Sequence, residues 1–289
     1  MPLQFPFTAK DMILGGLIPA AVVVAVCLLS ARFLTSNLSR SIAANWAIAI
    51  AFFIGVRLLN LSPWKPASHW HWLPYIGLEC ALLSPLLVHG NAIIRCASAV
   101  IASGVSAYLL IPVWDDLPRP RIEMISGFAT VLVAVWAAIR PLAQHVERRS
   151  LAIVFAGSAL GMALILTLAG SLRFGQIGGA IAGGFIGFMV AQLVDRNSDR
   201  LSDVSFLFTL LCGGAMLVGQ LNSTSDVPLV CFLIPPFAPL ALCLSRVGPL
   251  SKLQGKTRIT ADILLPALFV VTAIGIAIGT QLLSDSAGY

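Results

Sequence analysis

Long apolar runs separated by short polar breaks dominate the pattern along this chain. They fall at 12–31, 42–59, 73–88, 92–114, 124–139, 151–171, 174–194, 205–221, 228–245 and 262–283. A helix that crosses a bilayer needs about 20 apolar residues, with a range near 17 to 25. The pattern therefore predicts an all-α, polytopic transmembrane bundle of nine or ten helices, in which the runs at 73–88 and 124–139 are the short ones. The runs are apolar on every face and lack the strict alternation of a membrane barrel. In lipid a helix satisfies its own backbone hydrogen bonds, so such runs form helices. Connections are short, and no stretch is left over for a soluble domain; residues 1–289 read as one transmembrane domain. The first run is longer than the core of a cleavable signal, and Lys10 beside Asp11 gives no strongly positive flank. It is expected to be a retained helix.

Composition supports the same solvent. The chain is 58% hydrophobic and 10% charged, with a mean hydropathy of +0.94. Soluble domains carry roughly 25% charged residues. The lipid bilayer is the partner this implies, and the cell (inner) membrane the location. A net charge of +6 would suggest nucleic acid in a soluble chain, but the basic residues are spread between apolar runs, which argues for no nucleic-acid partner.

The Lys and Arg distribution predicts topology instead. With ten helices, the odd-numbered connections share Arg32, Arg40, Arg95, Arg140, Arg148, Arg149, Arg196, Arg200, Arg246, Lys252, Lys256 and Arg258. The other side holds Lys10, Arg57, Lys65, Arg119, Arg121 and Arg173. Twelve against six places the odd connections in the cytoplasm and both termini outside. Trp64, Trp70, Trp72 and Tyr75 crowd the outer end of the third span, as interfacial anchors would.

An ionisable group within a span is costly and marks a candidate site. Glu79 is the clearest, roughly 9 Å into the third span at 1.5 Å per residue. Arg57, near the end of the preceding span, is expected to reach the same depth and pair with it. Pro235, Pro236 and Pro239 crowd the ninth span. Proline removes a backbone donor and clashes with the preceding turn, so this span should break or kink. Discontinuous helices are one way in which transporters expose backbone groups to substrate. Glu79, Arg57, Pro235 and Pro236 thus form a candidate substrate or ion path. Gly179, Gly183 and Gly187 repeat every fourth residue and predict a smooth packing face, within the chain or between chains.

Other constellations are weaker. Asp195, Asp199 and Asp203 would share one helix face and could hold a metal ion against a diphosphate. They resemble one Asp-rich motif of the membrane prenyltransferases, but the first half of the chain lacks the second motif those enzymes need. Arg196 and Arg200 also partly neutralise the cluster. His69 and His71 form an H-x-H pair, which is too few ligands for a metal unless Glu79 joins them. The six cysteines fall in or beside apolar runs and read as small apolar side chains. No H-E-x-x-H, G-x-S-x-G or G-x-G-D occurs. The expectation is no catalytic residue, no bound metal and no cofactor.

Two stretches carry a resemblance. One is S-P-W-K-P (62–66) with H-W-L-P-Y (71–75); the other is G-S-L-R-F-G-Q-I-G-G-A (170–180). With the ten-helix layout they resemble an uncharacterised family of multi-pass membrane proteins of planctomycete-type bacteria. That resemblance implies a bacterial membrane setting and no particular activity. The sequence points first to a transporter-like protein moving a small solute or lipid. The alternatives are a membrane scaffold, working as a homo-oligomer or with other membrane subunits, and a Mg-dependent lipid-diphosphate enzyme.

Overall fold

The computed structural model describes residues 8–34, 36–115, 117–194, 204–223, 225–246 and 255–287. It is an all-α bundle of ten helical spans, with no strand among the described residues. The spans are α1 (Ala9–Phe33), α2 (Asn37–Leu58), α3 (Leu73–His89), α4 (Ala92–Leu110) and α5 (Arg121–His145), then α6 (Arg148–Leu168), α7 (Leu172–Val194), α8 (Ser205–Leu221), α9 (Leu229–Phe237) and α10 (Gly255–Ala287). Among the described residues, nine spans are long and apolar enough to cross a membrane once the 3-10 segments joined to α3 and α9 are included; α8 is apolar but has 17 residues. The chain is a multi-pass membrane protein.

Several ends differ from the apolar pattern for local reasons. Helix α4 stops at Leu110 rather than at 114, because Pro112 follows and Arg121 reaches back to cap the helix. Its Nη2 donates to Tyr108 O at 2.8 Å and Ile111 O at 3.2 Å. Helix α5 is long, not short: it runs through Pro141 to His145. Helix α10 begins at Gly255, two turns before the apolar run, so Asp262 lies inside it and not at its start. A helix C-terminus offers unpaired carbonyls that a guanidinium can satisfy. Arg40 does this for α1, donating to Ala31 O at 2.8 Å and Leu34 O at 2.9 Å. Arg246 donates to His145 O at 2.7 Å at the end of α5. Some of the charges that set topology therefore also close helices.

Helices α6, α7 and α8 form the centre. Phe155, Phe185 and Phe208 meet there, with the rings of Phe155 and Phe208 stacked at 4.4 Å. Helices α1, α5 and α10 line the rim; 22% of each span is buried, against 67% for α6. Helix α1 contains a π-helical turn, Ile13–Leu17, just before Pro19. Proline has no N–H for the carbonyl four residues earlier, and the widened turn absorbs that loss. The same turn lays Gly16 and Ala20 against α7. A Cβ on Gly183 would lie 2.5 Å from Gly16 O, and one on Gly187 would strike the Ala20 carbonyl. The smooth face predicted on α7 thus packs within the chain at two of its three glycines, while a Cβ on Gly179 would meet nothing within 4 Å.

The connections after α2, α4, α6 and α8 gather on one face: Asn222 bonds His69, and Ser223 Oγ donates to Ala169 O at 3.3 Å. This is the tryptophan-rich face. The opposite face joins the ends of α5, α9 and α10.

Candidate functional site

The loop between α2 and α3 is the most heavily pinned polar segment of the protein. Helix α2 ends in a Schellman motif: Leu61 N donates to Val56 O and Asn60 N to Arg57 O, both at 3.0 Å. The residue that turns the chain is Asn60, at φ +52°. Glycine is usual there, and asparagine is the common substitute. Arg57 Nη1 donates to Ser62 O, and its guanidinium lies 3.9 Å above the Trp64 ring. Tyr75 on α3 donates to Trp64 O at 2.6 Å.

This arrangement corrects the expected Arg57–Glu79 pair. The packing sets the two at different depths: Gly77 lies against Ala49 and Phe52, so Glu79 is about two turns deeper than Arg57, whose guanidinium is taken by the Ser62 carbonyl and the Trp64 face. Glu79 has no hydrogen-bond or ion-pair partner among the described residues and is half-buried on α3.

A single 3-10 turn, His69–Trp72, leads straight into α3. His71 Nδ1 accepts from Ala67 N at 3.1 Å and Ser68 N at 3.0 Å. A ring nitrogen that accepts two N–H groups carries no proton, so the proton of neutral His71 sits on Nε2. His69 is engaged elsewhere: its Nε2 lies 3.0 Å from Asn222 Nδ2, and its ring meets Trp114 edge-on at 5.3 Å. The two histidines therefore diverge. They do not converge with Glu79, and no cluster of three His, Cys, Asp or Glu side chains suited to a metal occurs among the described residues.

Trp70 is a second correction. It is not an interfacial anchor but is buried at 7% exposure, edge-on to Phe174 at 5.9 Å and beneath the Arg173 guanidinium at 5.1 Å. It stands between two pockets. The first, of about 500 Å³, is lined by Asn60, Ser68, Trp70, His71, Arg173 and Gln176. The second, of about 510 Å³, includes His69, Trp72, Tyr108, Trp114, Arg121 and Asn222 in its wall. No carboxylate lines either one.

The ninth span changes helix type at its prolines. Helix α9 ends at Phe237, just past Pro235 and Pro236, and Ala238–Arg246 continues without a gap as a 3-10 helix that contains Pro239. An apolar cavity of about 140 Å³ lies beside this change, walled by Phe128, Leu132, Gly213, Met216, Phe232 and Pro236. Glu79 and Arg57 are not in its wall, so the structure does not join the four residues of the expected path. Asp195, Asp199 and Asp203 lie outside the described residues.

One polar cluster escaped sequence reasoning. Asp262 is 2% exposed, accepts from Ser245 Oγ at 2.5 Å and lies 3.9 Å from Arg246 Nη2. It ties α10 to the 3-10 end of the ninth span. Asp11, by contrast, caps the start of α1 in a box with Thr8. No protein-family model matches the chain, and no curated protein matches it.

Proposed function

We propose that this chain is a transporter-like protein of the bacterial cell membrane, and that its cargo is a lipid or another molecule with an apolar tail. The observation that carries the reading is the apolar cavity beside the proline-rich change of helix type in the ninth span. Irregular helix geometry within a span weakens backbone hydrogen bonds, and irregular spans recur where membrane carriers hold substrate. The wall of this one is almost wholly hydrocarbon; Thr209 spends its hydroxyl on Ser205 O at 2.9 Å. An apolar cavity of about this size stays dry and accepts apolar ligands. That favours the lipid half of the reading over a small polar solute. By the charge count, the tryptophan-rich face with both termini lies outside and the arginine-rich face in the cytoplasm.

The test is exchange of fluorescent phospholipid between leaflets of vesicles that contain the purified protein. Val131 lines the cavity and is partly exposed, so Val131→Trp narrows the cavity without opening the core. The expected result is exchange above that of protein-free vesicles, slowed several-fold by Val131→Trp. Exchange no faster than in protein-free vesicles, or unaffected by the substitution, would remove the reading. A reporter fused at Tyr289 tests orientation, with a cytoplasmic signal as the contrary result.

A second reading, a membrane scaffold, draws on a different observation. Glu79 is half-exposed on an outer flank of α3 without a partner among the described residues, where a second copy or another membrane subunit could supply one. Crosslinking of the intact membrane separates the two readings.

A further inference from the structure

We propose that the pocket walled by Asn60, His71, Arg173 and Gln176 binds a phosphate-class oxyanion, carried on a lipid headgroup or free in solution. Three observations lead there. First, Arg173 makes no hydrogen bond among the described residues; its contact is the face of Trp70, 5.1 Å below. Attraction to the ring face favours this position of the exposed guanidinium while leaving its N–H groups unspent. Second, His71 is 8% exposed and its orientation is fixed. Both backbone donors sit on Nδ1, so the ring presents an Nε2–H, which meets no acceptor among the described residues. That nitrogen keeps solvent access at the pocket wall, so an incoming acceptor can reach it. Third, the amides of Asn60 and Gln176 and the Ser68 hydroxyl complete a wall that can donate at every polar position and holds no carboxylate.

A cavity of about 500 Å³ falls within the range of roughly 300–1,000 Å³ seen for small-molecule sites. Planar, multiply donating recognition by arginine suits phosphate oxygens. The neighbouring pocket is the poorer choice for an anion. Its Arg121 already donates to two backbone carbonyls at the end of α4, which absorbs its charge. Occupancy of the first pocket does not require the chain to move its ligand, so binding and transport can fail separately.

The experiment uses the full chain in neutral detergent and has two arms. Titration calorimetry with inorganic phosphate tests the free anion. Native mass spectrometry after exposure to equal phosphatidylglycerol and phosphatidylcholine tests the headgroup. The expected result is saturable binding in at least one arm, and the arm that responds identifies the source. Arg173→Gln is expected to weaken it about tenfold or more, the size of one charge-assisted hydrogen bond. Asn60→Gly keeps the left-handed turn, removes one wall group and is expected to weaken binding less. Lys65→Gln, on the same loop but outside the wall, should leave it unchanged. Should Arg173→Gln not fold, Gln176→Ala takes its place with the same expected direction. No binding in either arm would overturn the proposal. So would unchanged affinity in the pocket variants, or an equal loss in Lys65→Gln, which would mean general surface charge.

Discussion

The tight seam between α1 and α7 allows a one-carbon test of how this bundle is held together. In Gly183→Ala the new methyl carbon falls 2.5 Å from Gly16 O, 3.0 Å from Gly16 Cα and 3.1 Å from its carbonyl carbon. Non-bonded carbon contacts prefer about 3.5–4.0 Å, so α1 must retreat by about 1 Å. The atoms struck are backbone, and no rotamer change relieves them. A gap of about 0.5–1 Å forfeits a quarter to a half of each contact's dispersion energy along the seam. Overpacking of this kind costs about 1–3 kcal/mol, while replacing a helical glycine by alanine returns up to about 1 kcal/mol. The net expectation is a loss of about 1–2 kcal/mol. Gly179→Ala, one turn earlier on the same helix, meets nothing within 4 Å and should be neutral or slightly stabilising. The assay is reversible unfolding in mixed micelles with rising SDS, followed by circular dichroism. Equal stability of Gly183→Ala and the parent protein, or equal losses in the two variants, would refute the reasoning.

Three further outcomes follow from the packing. Gly161→Ala drives its methyl into Val270 Cγ1 on α10 and should destabilise; Val270→Ala removes that atom, so the double variant should melt above Gly161→Ala alone. Asp262→Ala removes the acceptor of Ser245 and a long contact to the partly exposed Arg246, and should cost about 1–3 kcal/mol. Asp262→Asn keeps an acceptor for Ser245 and should cost less in the same micelle assay. Asn60→Val forces a β-branched residue to φ +52° and should lower thermal stability by about 1–2 kcal/mol, whereas Asn60→Gly should not.

The helices were largely legible in the sequence, and the site was not. Span 205–221 coincides with α8, and the ninth span changes from α to 3-10 helix at its prolines. The ends that missed, such as α10 beginning at Gly255, lie where polar residues continue a helix beyond the apolar run. Sequence spacing also found the α7 glycines, but not that their partner is the π-turn of α1. For Arg57 and Glu79 the expected pairing failed on depth as well as on partner, since Gly77 packs level with Ala49 and Phe52 and leaves Glu79 deeper than Arg57. Relative depth depends on the register in which two helices pack, and the direction of a side chain on which neighbour stands there. His71 stood out in the sequence only as half of an H-x-H pair and Arg173 only as a topology charge. That they share a pocket was not legible, because its walls are about a hundred residues apart in the chain and meet only through folding.

The bilayer explains this division. It imposes length and apolarity on each segment separately, so a one-dimensional reading determines that this chain crosses the membrane repeatedly as helices. Between helices lipid offers no hydrophobic driving force, since its tails are as apolar as leucine. Lateral order is then decided by fit: glycine against backbone at Gly183 and Gly16, arginine on helix ends at Arg40, Arg121 and Arg246, and a loop locked by His71. Those contacts join residues far apart in sequence, and only the tertiary structure placed them together.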